Sequence, residues 1–252
     1  MRKMAIQVGN IYNSKSCGDF EVVQIESYKK MKVRFVDTGF ETWAQGGQVT
    51  DGRVSDKLSP TVYGVGVLGL VEGAVVGVKS YKIWHAMIQR CYSEKANTRL
   101  RSRTYDDVSV CEEWLLYTNF RDWFDKNYIE GYCMDKDLTI LGCRQYSPDS
   151  CSFIPNDINC LLLKSDKNRG EFPLGVHLDT ESGRYVAQIS IKKNGRTKRK
   201  WLGYHSTPEE AFDVYKSFKE DWIKIVAGVS YENGEISKTI YENLKKYAVE
   251  PY

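Results

Sequence analysis

The stretch Met134-Asp135-Lys136-Asp137 sets two carboxylates around a lysine, and Asn159 follows within FIPNDIN. Carboxylates are common oxygen donors to divalent cations. A metal that steadies the leaving oxygen, with a base that takes a proton from the attacking water, hydrolyses phosphodiesters. Histidine suits the base because it titrates near neutrality. A lysine, at about 10.4, stays protonated unless burial lowers it by several units. The three histidines of the chain, His85, His177 and His205, all lie elsewhere in the sequence. Asp137 is then the alternative base and Lys136 a grip on phosphate. Cutting a nucleic acid and only holding it are both compatible with these residues.

Cysteine offers a second chemistry. Cys133, Cys143, Cys151 and Cys160 fall in the same region. Their spacing lacks the two close pairs of a zinc ribbon, which argues against a structural zinc and for buried thiols.

A third group is built for charge. Between Leu174 and Ser206 there are seven Lys or Arg against two acids, whereas from Thr207 onward six basic residues meet nine acidic ones. One element positive and the next negative is the pattern of a domain with one face toward phosphate and one toward water. The cations concentrate in Lys192, Lys193, Arg196, Lys198, Arg199 and Lys200. A solvated basic hairpin would carry the same charge.

These residues need strands to position them. In GRYVAQISIKK, Tyr185, Ala187, Ile189 and Ile191 alternate with Val186, Gln188, Ser190 and Lys192, the period of a strand with one apolar face. Asn194-Gly195 supplies a hairpin turn. The next strand, TKRKWLGYHS, puts Arg199 and Trp201 on one face and Lys200 and Leu202 on the other. Ser206-Thr207-Pro208-Glu209-Glu210 then opens a helix: a hydroxyl cap, an early proline, and acids at the positive end of the dipole. Its apolar face is read as Ala211, Phe212, Val214, Tyr215, Phe218 and Trp222. The result is a sheet of about three strands on one helix, with the basic and polar face turned away from that helix.

The segment LGVHLDTESGRYVAQISIKKNGRTKRKWLGYHSTPEEAFDVY resembles the APETALA or ethylene-response-factor DNA-binding domain, chiefly through WLG followed by T-P-E-E-A. The resemblance implies double-stranded DNA as partner, with the sheet in the major groove and contact roles for His177, Gln188, Ser190, Arg199 and Trp201. Leu174, His177 and Asp179 replace arginines of the plant members, and Gln188 and Ser190 replace Glu and Arg, so sequence preference does not transfer. The competing reading of Trp201 is an ordinary core tryptophan.

Ahead of it, W-x-x-M-x-x-R-C-Y, C-x-E-W, D-K-D and Y-S-P-x-x-C-x-F-x-P-x-x-I-N resemble phage proteins of the HNH endonuclease family, some of them homing endonucleases. That resemblance implies a ββα-metal fold binding Mg2+ or Mn2+. Asp135 would be the first metal ligand and Asn159 the last, and Lys136 would stand in the general-base place. It also implies the cytoplasm of a bacterial host as location.

The remaining chain frames these units. KSYKIWHAMIQRCY and CEEWLLYTNFRDWFDKNY place aromatics at helical spacing and read as core. Arg99, Arg101 and Arg103 alternate in a connecting loop that either tracks phosphate or is solvated. Gly64 to Gly69, GVGVLG, matches a dinucleotide fingerprint in letters, but no helix cap follows it. Residues 1–72 read as strands at Phe20 to Ile25, Lys32 to Val36 and Glu41 to Ala44 in a small β-barrel-like module. The tail YENGEISKTIYENLKKY reads as one amphipathic helix. No apolar run approaches a membrane span, no signal peptide is visible, and the seven cysteines fit reduced thiols, so the cytoplasm is expected. The expected fold is α+β in three parts, residues 1–72, an HNH-like 73–170, and an APETALA-like 171–252. Three roles follow: a DNA-binding protein that nicks or cuts with a divalent metal, a non-catalytic regulator that occupies DNA, or a protein that binds and inhibits a host defence protein.

Overall fold

The computed structural model describes residues 5–251 apart from 74, 94–106, 163–170 and 194–195. Arg99, Arg101, Arg103 and the Asn194-Gly195 turn lie outside the described residues, as do the side chains of Lys192, Lys193 and Arg196. The fold is mixed α+β, with several small sheets and seven helices among the described residues. Two compact units form, Met1–Lys126 with Arg144–Ser147, and Asn127–Cys143 with Pro148–Tyr252. Residues 73–170 therefore contribute to both.

The first unit begins with β1 (Ile11–Ser14), β2 (Gly18–Ser27), β3 (Lys30–Phe35) and β4 (Glu41–Ala44), an antiparallel sheet in that order. In β3 the lysines and Arg34 alternate with Met31, Val33 and Phe35, which are buried with Phe20 and Val22 of β2. The expected barrel does not close. β1 and β4 are the edges of the sheet, and a ladder of four strands, two of them four residues long, lacks the strand number and stagger that closure needs. A short helix, α1 (Gly46–Thr50), follows β4.

Further along, α2 (Lys79–Tyr92) buries Ser80, Trp84, Met87 and Ile88 at helical spacing. The Trp84 indole N–H donates to the Trp114 carbonyl at 2.7 Å. Trp114 lies in α3 (Glu112–Leu115), which the extended Leu116 separates from α4 (Tyr117–Asn127). Leu116 bridges to Val67, so what reads as one helix is two. The GVGVLG stretch makes bridges and turns, with α2 beginning only at Lys79, as the absent cap predicts. β5 (Ser109–Val110) and β7 (Gln145–Tyr146) complete this unit as a short parallel pair.

In the second unit, β6 (Tyr132–Asp135) pairs antiparallel with β8 (Ser152–Pro155), and α5 (Asn156–Leu162) follows at once. β9 (Val176–Asp179), β10 (Arg184–Lys193) and β11 (Arg196–His205) form an antiparallel sheet in the order β11-β10-β9. Then comes α6 (Pro208–Glu232), whose N-terminus is fixed as its sequence dictates: Thr207 Oγ1 accepts from the Glu210 N–H at 3.2 Å, and Glu210 Oε2 accepts from the Ser206 N–H at 3.0 Å. Its buried line runs through Ala211, Tyr215, Lys219, Ile223 and Ala227. Val214, assigned to that face by periodicity, is exposed instead, and the buried i,i+4 row passes through Lys219, which is itself buried. The tail is not one helix. Asn233 and Gly234, the latter at φ 72°, end α6, and Ser237 caps a new helix, α7 (Lys238–Lys245), through its hydroxyl and the Ile240 N–H at 3.3 Å.

A single core serves all these elements. Leu138, Ile154 and Ile158 are buried together with Ala187, Ile189, Tyr215, Ile223, Ile240 and Leu244. Gly175 shows how tight it is. At φ +77° its missing side chain leaves room for the Tyr215 ring, and a Cβ there would lie 2.1 Å from Tyr215 Cδ2. Gly175→Ala is expected to destabilise this unit by about 2–4 kcal/mol, combining the left-handed backbone penalty with overpacking. Urea denaturation measures it, and a loss below about 0.5 kcal/mol would show that the ring yields freely.

Candidate nucleic-acid interface

Register decides which side chains share a face. In the β10–β11 ladder Ser190 faces Arg199, Gln188 faces Trp201 and Val186 faces Tyr204, while Val186 also faces His177 of β9 and Arg184 faces Asp179. Opposed residues of an antiparallel pair lie on the same side of the sheet. His177, Gln188, Ser190, Arg199 and Trp201 are thus brought onto one face, opposite the face that packs Val176, Ala187, Ile189, Ile191 and Leu202 on the core. Trp201 is 60% exposed, which excludes a core role for it.

Of two further members of this face, Arg184 and Tyr204, the second escapes simple alternation. The register shifts between Ala187 and Gln188, leaving Leu202 as the extra residue of a β-bulge. Strict alternation from Trp201 would send Tyr204 to the helix side. The bulge inverts that parity, and the Trp201 and Tyr204 rings meet edge-on with centroids 5.6 Å apart. Arg184 lies over the Tyr204 ring at 5.5 Å and donates to the Tyr204 carbonyl at 3.2 Å. Asp179 accepts from the Ser182 hydroxyl at 2.6 Å, which holds its carboxyl below the usual range, and its proximity raises the Tyr204 phenol. The exposed face therefore carries two aromatic rings flanked by Arg184 and Arg199. The bulge alone brings Tyr204 here, and nothing in WLGYH marks it, whereas Arg184 follows from its alternation with Val186, Gln188 and Ser190.

The predicted cations do not all share this face. Lys198 and Lys200 oppose Ile191 and Ile189, so they leave the sheet on the helix side, and the Lys200 ammonium lies 4.3 Å from the Phe218 ring centroid. Lys192 pairs with Thr197 and Lys193 with Arg196 at the far end of the hairpin.

The MDKD loop is a compact turn. Asp135 Oδ1 accepts from the backbone N–H of Asp137 at 2.9 Å and of Leu138 at 2.8 Å. Lys136 donates to the Asp137 carboxylate and, at 3.0 Å, to the Cys143 carbonyl. Asn243 of α7 donates to the carbonyls of Leu138 and Thr139 at 2.9 and 3.3 Å, pinning the same turn. Asn159 is half-buried on α5, and no hydrogen bond joins it to Asp135. Among the described residues no group of three or more His, Cys, Asp or Glu is placed to hold a metal. The oxygen of Asp135 that takes two N–H bonds is already engaged, and the Asp137 carboxylate is engaged by Lys136. These residues fit the structure of a turn better than a ligand set.

No protein-family model, curated protein or solved structure matches this chain.

Burial raises the Asp135 carboxyl above its ordinary range, with the Leu138 and Asp137 N–H groups pulling the other way. Burial likewise raises the Tyr247 phenol, and the Asp135 and Asp137 charges add to this. An acid whose folded pKa is raised contributes stability in full below its unfolded value, about 3.9, and loses it as pH rises through the folded value. Asp135→Asn keeps an oxygen for both N–H groups and removes the charge. It should be more stable than the wild type at pH 7, the two converging toward pH 4, in urea melts across that range. A less stable variant at pH 7 would mean that the ionised carboxylate makes a favourable interaction.

Proposed function

We propose that this chain binds duplex DNA through the outer face of the β9–β11 sheet and does not hydrolyse it. One observation carries the reading: a sheet sealed on one side by α6 leaves Trp201 largely exposed on the other, beside Arg199, Gln188, Ser190 and His177. An exposed indole between arginines and amides supplies base-edge or methyl contacts, and the cations of the hairpin supply phosphate contacts. The likeness of this segment to the APETALA domain supports the same face.

The non-hydrolytic part follows from Lys136. The order β6, loop, β8, α5 is the layout the HNH resemblance implies, and it supports a nuclease-like scaffold. Yet an ammonium that donates to a carboxylate and a carbonyl has no lone pair to accept a proton from water. In this reading Lys136 clamps the loop between Asp135 and Cys143.

Fluorescence anisotropy of the full chain on duplex DNA between 50 and 300 mM salt tests the binding. Each neutralised phosphate adds about −0.9 to the log–log slope, so a slope of roughly −3 to −5 is expected. Arg199→Ala and Trp201→Ala should cost about 1–3 kcal/mol and flatten preference among sequences, with circular dichroism unchanged. Lys198→Ala and Lys200→Ala should matter least, since both leave the sheet on the helix side and Lys200 lies over Phe218. A flat salt slope would remove this sheet from the interface.

Supercoiled plasmid tests the chemistry. With Mg2+ or Mn2+ the wild type should leave it intact, and Lys136→His should introduce nicking if the scaffold retains its remaining ligands. Wild-type nicking that Asp135→Ala abolishes would overturn the non-hydrolytic reading.

A further inference from the structure

Asn156, the first residue of α5, receives two thiols on one oxygen. Cys133 Sγ lies 3.2 Å from Asn156 Oδ1 and Cys160 Sγ lies 3.7 Å from the same atom. Two sulfurs within hydrogen-bond reach of one oxygen are no more than about 7 Å apart. The elements explain the meeting. Cys133 stands opposite Ile154 in the β6–β8 ladder, two residues before α5 begins, and Cys160 follows Asn156 by one helical turn on the same face. Cys160 is exposed and Cys133 half-buried, whereas Cys17 and Cys151 are buried. Cys160 also lines an open cleft of about 490 Å³ together with Leu161, Leu174 and His177, which gives a small molecule access to its sulfur.

We propose that Cys133 and Cys160 are a redox-active pair that a low-molecular-weight disulfide, such as oxidised glutathione, closes into an intramolecular disulfide. The exposed Cys160 thiolate attacks one sulfur of the oxidant and expels one glutathione thiol. The Cys133 thiolate then attacks the Cys160 sulfur and expels the second. Two protein thiols are oxidised, one disulfide is reduced, and the two protons leave on two glutathione molecules. Each thiol exchanges its contact with Asn156 for the new bond, with S–S closure to about 2.05 Å. The bond staples β6 to α5 and encloses the loop that carries Asp135, Lys136 and Asp137. It is independent of the DNA-binding reading.

The test uses the full chain, reduced and then exposed to oxidised glutathione under native conditions, with acid quench, intact mass and peptide mapping. The expected result is a loss of about 2 Da, a Cys133–Cys160 cross-linked peptide, and a thermal midpoint higher by roughly 5–10 °C, all reversed by dithiothreitol. Cys133→Ser should stop at a glutathione adduct on Cys160, and Cys160→Ser should form no internal disulfide. Serine is close in size to cysteine, and circular dichroism confirms that each variant is folded. A wild type that stops at the mixed disulfide, pairs other cysteines, or does not react would overturn the proposal.

Discussion

The second unit depends on one shared apolar core, and above all on the Tyr215 ring pressed into the space that Gly175 leaves empty. That contact joins α6 to the approach of β9, while Ile154 and Ile158 join the same core from β8 and α5. Side chains of this size each contribute about 1.5–3 kcal/mol on full burial, so neither the three-stranded sheet nor the β6–β8–α5 segment is an independent ornament on the other. Three strands on one helix make a unit of marginal size, to which the shared core adds buried apolar surface. By lending Leu138, Ile154 and Ile158, the segment around MDKD completes the core that lets the sheet expose its other face.

Because one face is committed to that core, His177, Gln188, Ser190 and Arg199 use the other, and the bulge at Leu202 determines which aromatic rings join them. It lets Leu202 turn to the core while Trp201 and Tyr204, three positions apart, project together. Without the extra residue Tyr204 would compete with Leu202 for the helix side. The aromatic pair, with Arg184 over Tyr204, is thus a product of sheet geometry and not of residue spacing.

The sequence made much of this legible, and what it missed has local causes. The alternation of Ala187, Ile189 and Ile191, the Thr207 cap and the separation of Arg199 from Lys200 across the sheet were all readable, because each follows from a period or a cap of a few residues. The bulge was not, since a one-residue register shift has no signature in TKRKWLGYHS. Short strands with glycine turns suit a barrel and an open sheet alike, and only pairing between β1 and β4 tells them apart. Apolar periodicity alone runs a tail helix through Asn233-Gly234, where the left-handed glycine and the Ser237 cap outweigh it. At the candidate site the residue types in MDKD suggested metal chemistry. Their partners within the turn could not be foreseen.

Asp135, Lys136 and Asp137 show how the same residues serve two different ends. A carboxylate at the end of a strand can hold a cation or cap the turn that follows, and the choice depends on which donors reach it first. Here two backbone N–H groups and the 136–143 loop reach it, because Asn243 of α7 holds the Leu138 and Thr139 carbonyls and so fixes the turn. Lys136 then finds its acceptors in Asp137 and the Cys143 carbonyl, closing the loop on itself. A histidine in its place would be too short to span that loop as a lysine does, but would bring a titrating nitrogen. The lysine therefore exchanges proton-transfer capacity for loop order. The same segment supplies one wall of the core behind the exposed sheet through Leu138, Ile154 and Ile158.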